Sequence, residues 1–334
     1  MNHLQVARLW VSGLLQAFER VGLDVSRLGV NLDDVGTLNA SGEHPAIEVV
    51  RSLWHRASVQ NDSSVLGIEV AWRHSPRSSG VLLPIMLHSP TALQALHHLV
   101  AYQPLLSDSG QFHITRTETG DLCLCEYRPT SSSVAVSNHQ VLAIVTQTLG
   151  TLRTITNRRL DVPLLEVPEG MDAARIGKAL KCPCRAHAGN FRLQLGAASL
   201  EAAVSERDDH LYQINLSYAE GLIRAKRQRQ TFISGIKARI DTEHPAQVDI
   251  DQVARTLGLH KRLLQRNLHE HHTSFRQLKV SVLKSRALDR LIVKGWHTET
   301  IAEDLGYSDL STFHRAFKSW FGVSPKQFRE QPHV

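Results

Sequence analysis

Two short runs near the carboxyl end carry side chains that hydrogen-bond base edges and phosphates: Lys261, Arg262, Gln265 and Arg266, then Ser311, Thr312, His314, Arg315 and Lys318. Arg and Gln offer paired donors to purine edges, while Lys and the hydroxyls suit phosphate oxygens. Each run shares its segment with an i, i+4 apolar pair, Leu264 with Leu268 and Phe313 with Phe317. That spacing predicts two helices, each burying one face and leaving the other wet. Arg266 and Arg315 have an alternative role, anchoring their own helices by ion pairs. Trp320 and Phe321 are read as core beside the apolar pairs.

The elements that position these helices are written as a repeat. Ile250 to Gly258 and Thr300 to Gly306 match at an offset of 48, which carries Ala254 onto Ala302, Leu257 onto Leu305 and Gly258 onto Gly306. Past the glycine the offset becomes 49, and Leu264, Arg266 and Leu268 fall on Phe313, Arg315 and Phe317. A patterned helix, a turn relieved by Gly and a second helix make the sequence form of helix-turn-helix. Between the copies, Ser274 to Gly295 reads as one helix, capped by Ser274 and stopped by Gly295. About 20 residues at about 1.5 Å each span about 30 Å, near the roughly 34 Å between successive major grooves on one DNA face.

The stretch from Ile301 to Asp309, followed by Phe313 to Lys318 and by Phe321-Gly322-Val323-Ser324-Pro325 through Arg329, resembles the signature of the AraC/XylS family of bacterial transcription regulators. The likeness covers about Thr231 to Arg329. Departures fall mostly in the first copy: His260-Lys261-Arg262 stands where the family often has Ser-Pro-Arg, and His272 where it often has glycine. Leu283 stands where the connector commonly holds a basic residue, which removes one phosphate contact. The resemblance implies a double-stranded DNA partner, a homodimer and contact with RNA polymerase.

Composition fits a two-domain chain of 334 residues, 42% apolar and 21% charged. No segment resembles an 18-residue uncharged membrane span, and Leu4 to Val21 carries Arg8, Glu19 and Arg20 without a cleavage pattern, so no membrane association and a cytoplasmic location are expected. From Gly221 onward there are 20 Lys+Arg against 11 Asp+Glu, a net +9; the remaining 18 and 21 leave the first part at −3. Positive charge gathered where the repeat lies is the footprint of polyphosphate binding. The expected organisation is an effector-binding and dimerisation domain over 1–223, a basic linker over 224–230 and a DNA-binding domain over 231–334. Arg224, Lys226, Arg227 and Arg229 mark the linker, which could also be the end of a helix beginning near Asp208. Within the last domain the first unit occupies about 249–270, the connector about 274–295 and the second unit about 298–320.

The first domain reads as α+β, with helices covering a small antiparallel sheet; the second reads as all-α. Helices are expected over Leu4 to Val21, after His44-Pro45, after Ser89-Pro90 and from about Val134 to Thr156. Gln111 to Arg116 and Leu122 to Arg128 flank a Thr119-Gly120-Asp121 turn as a hairpin, with further strands at Leu164 to Val167 and Phe191 to Leu195. Over roughly 20–205 this order is similar to the sensor domain of the AraC-type subfamily that includes ornithine-utilisation regulators, which implies a small-molecule effector and dimerisation.

Cysteines occur as two C-x-C pairs, Cys123/Cys125 and Cys182/Cys184. Such thiols could hold a soft metal or sense oxidants, but C-x-C is not the usual zinc spacing, and Cys123 and Cys125 alternate with leucines in a strand. Burial as small apolar groups is the preferred reading. The histidines at His97-His98 and at His269, His271 and His272 lack acid or thiol partners, so they read as helix surface or DNA-facing edge, with a modest pH dependence of DNA affinity. No catalytic motif is found, and no enzyme, cofactor or metal is expected. Three alternatives remain: control by a protein partner without small ligand, DNA structuring without sequence preference, and alkylation repair by methyl transfer to Cys182-Pro183-Cys184.

Overall fold

A computed structural model describes residues 4–28, 45–132, 134–204, 206–242, 248–271, 273–321 and 323–330. His44, His272 and Gly322, named above, lie outside the described residues. Two compact units divide the chain, one over residues 4–224 and one from 225 onward.

The amino-terminal unit is α+β. Helices α1 (Arg8–Arg20), α2 (Ile47–Gln60), α3 (Leu66–Arg73), α4 (Leu82–Leu87) and α5 (Ala92–Tyr102) precede the hairpin of β1 (Gly110–Arg116) and β2 (Leu122–Pro129). Then follow α6 (Asn138–Ile155), β3 (Leu164–Pro168), α7 (Ala173–Leu180), β4 (Cys184–His187), β5 (Arg192–Gly196) and α8 (Ala197–Glu201). The strands form one sheet in the order β1-β2-β5-β3-β4. Period-two burial puts Phe112, Cys123, Cys125 and Tyr127 on its covered face.

This sheet is antiparallel as expected except at one edge, where β4 runs parallel to β3 with Leu165 opposite Cys184. The sequence does not announce β4, since Cys-Arg-Ala-His has no apolar alternation and none of the four residues is fully buried. Helix starts also move. The Val6 N–H is bonded to Pro45 O at 2.9 Å and the Ala7 N–H to Leu106 O at 2.6 Å, so this segment pairs with other backbone and α1 begins at Arg8. Ser137 caps α6, which therefore starts at Asn138, and Thr91 caps α5 by accepting the Gln94 N–H at 3.1 Å. Pro90 thus precedes the cap instead of opening the helix.

Helix α9 (Asp209–Thr242) is continuous, so 224–230 is helical throughout and not a separate linker. Arg, Lys, Gln and Ala there are good helix formers, and no proline interrupts them. The unit from 225 onward is all-α: after α9 come α10 (Ile250–Thr256), α11 (Lys261–Glu270), α12 (Phe275–Leu288), α13 (Thr298–Asp304), α14 (Leu310–Phe321) and α15 (Pro325–Glu330). Ser274 caps α12 through the Gln277 N–H at 3.2 Å. A π-helical turn over Asp289–Val293 extends α12, and Gly295, at φ +66°, ends the run as expected.

Two cores share α12. Leu278 and Val282 pack with Ile236, Ile240, Leu264 and Leu268, whereas Leu283, Ala287 and Leu291 pack with Ile301, Leu305, Phe313 and Phe317. Leu283, only 8% exposed, faces the second core. Among the described residues, no helix is long and apolar enough to cross a membrane.

Candidate nucleic-acid interface

The first copy is built on a left-handed glycine. Gly258 takes φ +66°, and the Leu259 N–H turns back to Ala254 O at 2.9 Å. Asp249 caps α10 by accepting the Gln252 N–H at 2.8 Å. With Leu264 and Leu268 buried, α11 leaves Lys261, Arg262, Gln265 and Arg266 exposed. Lys261 Nζ lies 2.7 Å from Asp251 Oδ2, and Arg266 Nε lies 3.6 Å from Glu270 one turn on. Solvent-exposed pairs of this kind contribute little to stability, so either cation can exchange its carboxylate for a phosphate.

In the second copy Gly306 takes φ +80°, and the Tyr307 N–H returns to Ala302 O at 2.9 Å, reproducing the first turn bond at the offset of 48. The helix start differs. Asp309 accepts both the Thr312 N–H and the Thr312 hydroxyl at 2.7 Å, and that hydroxyl accepts from Arg315 Nη2 at 3.1 Å. The Thr312 hydroxyl, then its backbone N–H, hold the Asp309 carboxyl below the usual carboxylate range. At the matching place in the first copy stands His260, which makes no side-chain cap bond.

Ser311, His314, Arg315 and Lys318 are exposed on α14, while Thr312 is half-buried. Beneath them the core is aromatic, with ring centroids 5.8 Å apart for Phe313 and Phe317 and 4.6 Å for Phe317 and Phe321. Trp320 and Phe321, expected as core, pack on this cluster but remain half-buried, because α14 turns them toward its rim.

Arg290 ties the connector to the second copy, with Nε 2.7 Å from Asp304 Oδ2 and its guanidinium 5.3 Å from the centre of the Trp296 ring. Arg286, paired with Asp241 Oδ1 at 2.6 Å, joins α12 to α9. Lys279 donates to Val248 O at 3.0 Å, and Arg229 Nη2 to His271 O at 2.5 Å. Part of the basic excess therefore holds the unit together.

The structure thus places Arg262 and Gln265 on one exposed helix face, and His314 and Lys318 on another. Among the described residues none of these four makes a hydrogen bond or ion pair with another side chain. Lys261, Arg266, Thr312 and Arg315 are instead engaged by neighbours on the protein. Sequence reasoning missed Asp249, Asp309 and Arg290. An Asp three residues before Gln252 or Thr312 is a legible capping signal; the Arg290–Asp304 pair, made across two helices, has none.

Two of the four cysteines sit in surroundings that disfavour the thiolate. Burial, reinforced by the neighbouring thiol, pushes Cys125 up to about 12 and Cys184 up to about 11. Both stay protonated at neutral pH and are poor nucleophiles. Among the described residues, no group of three or more His, Cys, Asp or Glu is placed to hold a metal ion.

Comparison with known proteins adds two family matches. Residues 253–331 match the model described as a helix-turn-helix domain, and residues 16–204 match the arabinose-binding domain of AraC transcription regulator, N-terminal. An uncharacterized HTH-type transcriptional regulator of Mycobacterium tuberculosis is 24% identical over 284 residues, covering 80% of this chain and 79% of that protein. The ornithine utilization regulator of Pseudomonas aeruginosa is 38% identical over 84 residues, 25% of each chain. Among solved structures, the transcriptional regulator CdpR from Pseudomonas aeruginosa aligns at a TM-score of 0.45 and 21% identity, covering 88% of this chain and 95% of that one.

Proposed function

The chain belongs to the AraC/XylS family of helix-turn-helix transcription regulators, and from that premise we propose that α11 and α14 enter adjacent major-groove segments of one duplex and read its sequence. Arg262 and Gln265 contact base edges at one end, and Ser311 and His314 at the other. Lys261, Arg266, Thr312, Arg315 and Lys318 serve phosphates. The observation that carries this reading is the shared connector: two copies of one turn, each with a buried apolar pair and an exposed polar face, hang on a helix of 14 residues continued by a π turn of 5. At about 1.5 Å per residue this connector is about 28 Å long, commensurate with the roughly 34 Å groove repeat.

Genome-wide mapping of bound sites, followed by competition at matched salt, tests it. A preferred site should outcompete unrelated duplex by roughly 10³-fold or more. Near-equal affinity for all duplexes would instead indicate a DNA-structuring protein.

We further infer that the amino-terminal unit dimerises and binds a small effector that changes how the DNA-binding units are presented to the duplex and to RNA polymerase. Leu211, Ile214 and Tyr218 support the dimer: they are 45%, 52% and 61% exposed and fall at i, i+3 and i+7 of α9, the spacing of a helix seam. Ile214→Asp should convert the dimer to a monomer in sedimentation equilibrium, and a monomeric wild-type chain at micromolar concentration would remove the seam.

A further inference from the structure

The amino-terminal unit holds a cavity of ≈ 90 Å³ between two apolar cores, with Leu14, Val50 and Trp54 on one side and Leu82, Met86 and Leu99 on the other. By the same measure one water needs only ~10–15 Å³. Aromatic surface lines part of it, since the His74 ring lies 4.3 Å from the Trp10 ring at 42°. Among the described residues, no Asp, Glu, Lys or Arg lines it. The one titratable group among the described lining residues, His74, is held below its ordinary pKa by burial, so the described wall is uncharged at neutral pH.

Several polar groups of this wall already have partners. His74 Nε2 is 3.2 Å from Trp10 O, and the Thr148 and Thr151 hydroxyls donate to Ile144 O at 2.9 Å and Gln147 O at 3.0 Å on their own helix. Gln103 Nε2 donates to Gly110 O at 2.9 Å, while its Oε1 is buried with no hydrogen-bond partner. Gln140 is 4% exposed, and its Oε1 is likewise buried with no hydrogen-bond partner. A buried acceptor left unmade is costly, and a ligand donor that meets it recovers the cost.

We propose that this cavity is the effector site, and that it takes an uncharged, largely apolar, ring-containing molecule whose N–H or O–H donates to Gln140 Oε1. An ionised carboxylate or ammonium would be desolvated there without a counter-charge. A polyol would leave most of its hydroxyls unmatched. The proposal rests on the reading that the amino-terminal unit senses a small molecule, and it specifies the chemistry of that molecule.

Isothermal titration of the full chain with four probes tests it: indole, 1-methylindole, glucose and leucine. Indole should bind, 1-methylindole should bind at least about tenfold more weakly because it lacks the donor, and the sugar and the amino acid should not bind. Gln140→Leu should weaken indole about tenfold and erase the difference between the two indoles, with an unchanged far-UV spectrum. Should that variant fail to fold, the indole pair on the unaltered protein decides by itself. Equal affinity for the two indoles would overturn the role of Gln140. Binding of glucose or leucine in place of indole would overturn the ligand class while leaving effector sensing intact. No heat with any probe, together with an operator affinity that none of them changes, would overturn both.

Discussion

The two helix-turn-helix copies share a turn and differ in what holds the helix that follows. The first packs α11 on aliphatic side chains, Leu264 and Leu268, and starts it at an uncapped His260. The second packs α14 on interlocking rings and starts it at Asp309, which binds Thr312 twice. Aromatic contacts and a satisfied cap fix rotamers before DNA arrives, so the second copy loses less freedom on binding. One fold repeated in one chain can thus supply a stiff anchor and a more adaptable reader.

The largest expected effect lies in the cores. Phe317→Ala removes a ring that meets Phe313, Phe321 and Phe328 and should destabilise the carboxyl-terminal unit by about 3–5 kcal/mol. Leu268→Ala should cost less, toward the lower end of about 2–5 kcal/mol. Urea titration followed by circular dichroism compares the two, and equal losses would break the contrast in packing.

Next in size is base reading. Arg262→Ala should relax preference at one end of the binding site by about 1–3 kcal/mol, because a bidentate donor to a base edge is lost. Lys318→Ala should weaken all sequences alike and reduce the salt slope by about 1. Binding to a library of operator variants at several salt concentrations separates the two, and a uniform loss for Arg262→Ala would assign that side chain to phosphate.

The carboxyl-terminal architecture was legible because its signals are local: glycines at matched offsets, i, i+4 apolar pairs and Ser274 before a helix. What escaped was set by tertiary partners. Leu283 looks like any helix position until α12 is seen to divide its faces between two cores. The start of α1 depends on Val6 and Ala7 bonding to Pro45 and Leu106, which no local pattern encodes. The cavity around Gln140 draws its wall from six helices spread over more than 140 residues of chain, and so has no sequence motif at all.

Ion pairs give a smaller test of the same contrast. Arg290 and Asp304 are 18% and 28% exposed, and Arg290 also lies over Trp296. Arg290→Met should cost about 1–2 kcal/mol. Lys261 and Asp251, at 48% and 46%, are largely in solvent, and Lys261→Met should cost less than about 0.5 kcal/mol. Comparable losses would mean that the first copy is held as firmly as the second.

The smallest expected effect is in the caps, where pH provides the handle. Because Thr312 holds the folded Asp309 carboxyl below its ordinary range, the cap contributes fully above the unfolded carboxylate pKa and is lost as pH falls through the folded one. The difference in urea midpoint between the unaltered chain and Asp309→Ala should therefore be widest near neutrality and close in acid. A difference that stays constant with pH would mean that the contact does not depend on the charge. His260→Asp writes the same cap into the first copy and should stabilise it by up to about 1 kcal/mol. The added negative charge would sit at the end of α11 proposed to meet phosphate, so the variant should fold more tightly while binding DNA less well, with the larger loss at low salt. If affinity instead rose with stability, looseness at α11 would be a cost to recognition and not a means of it.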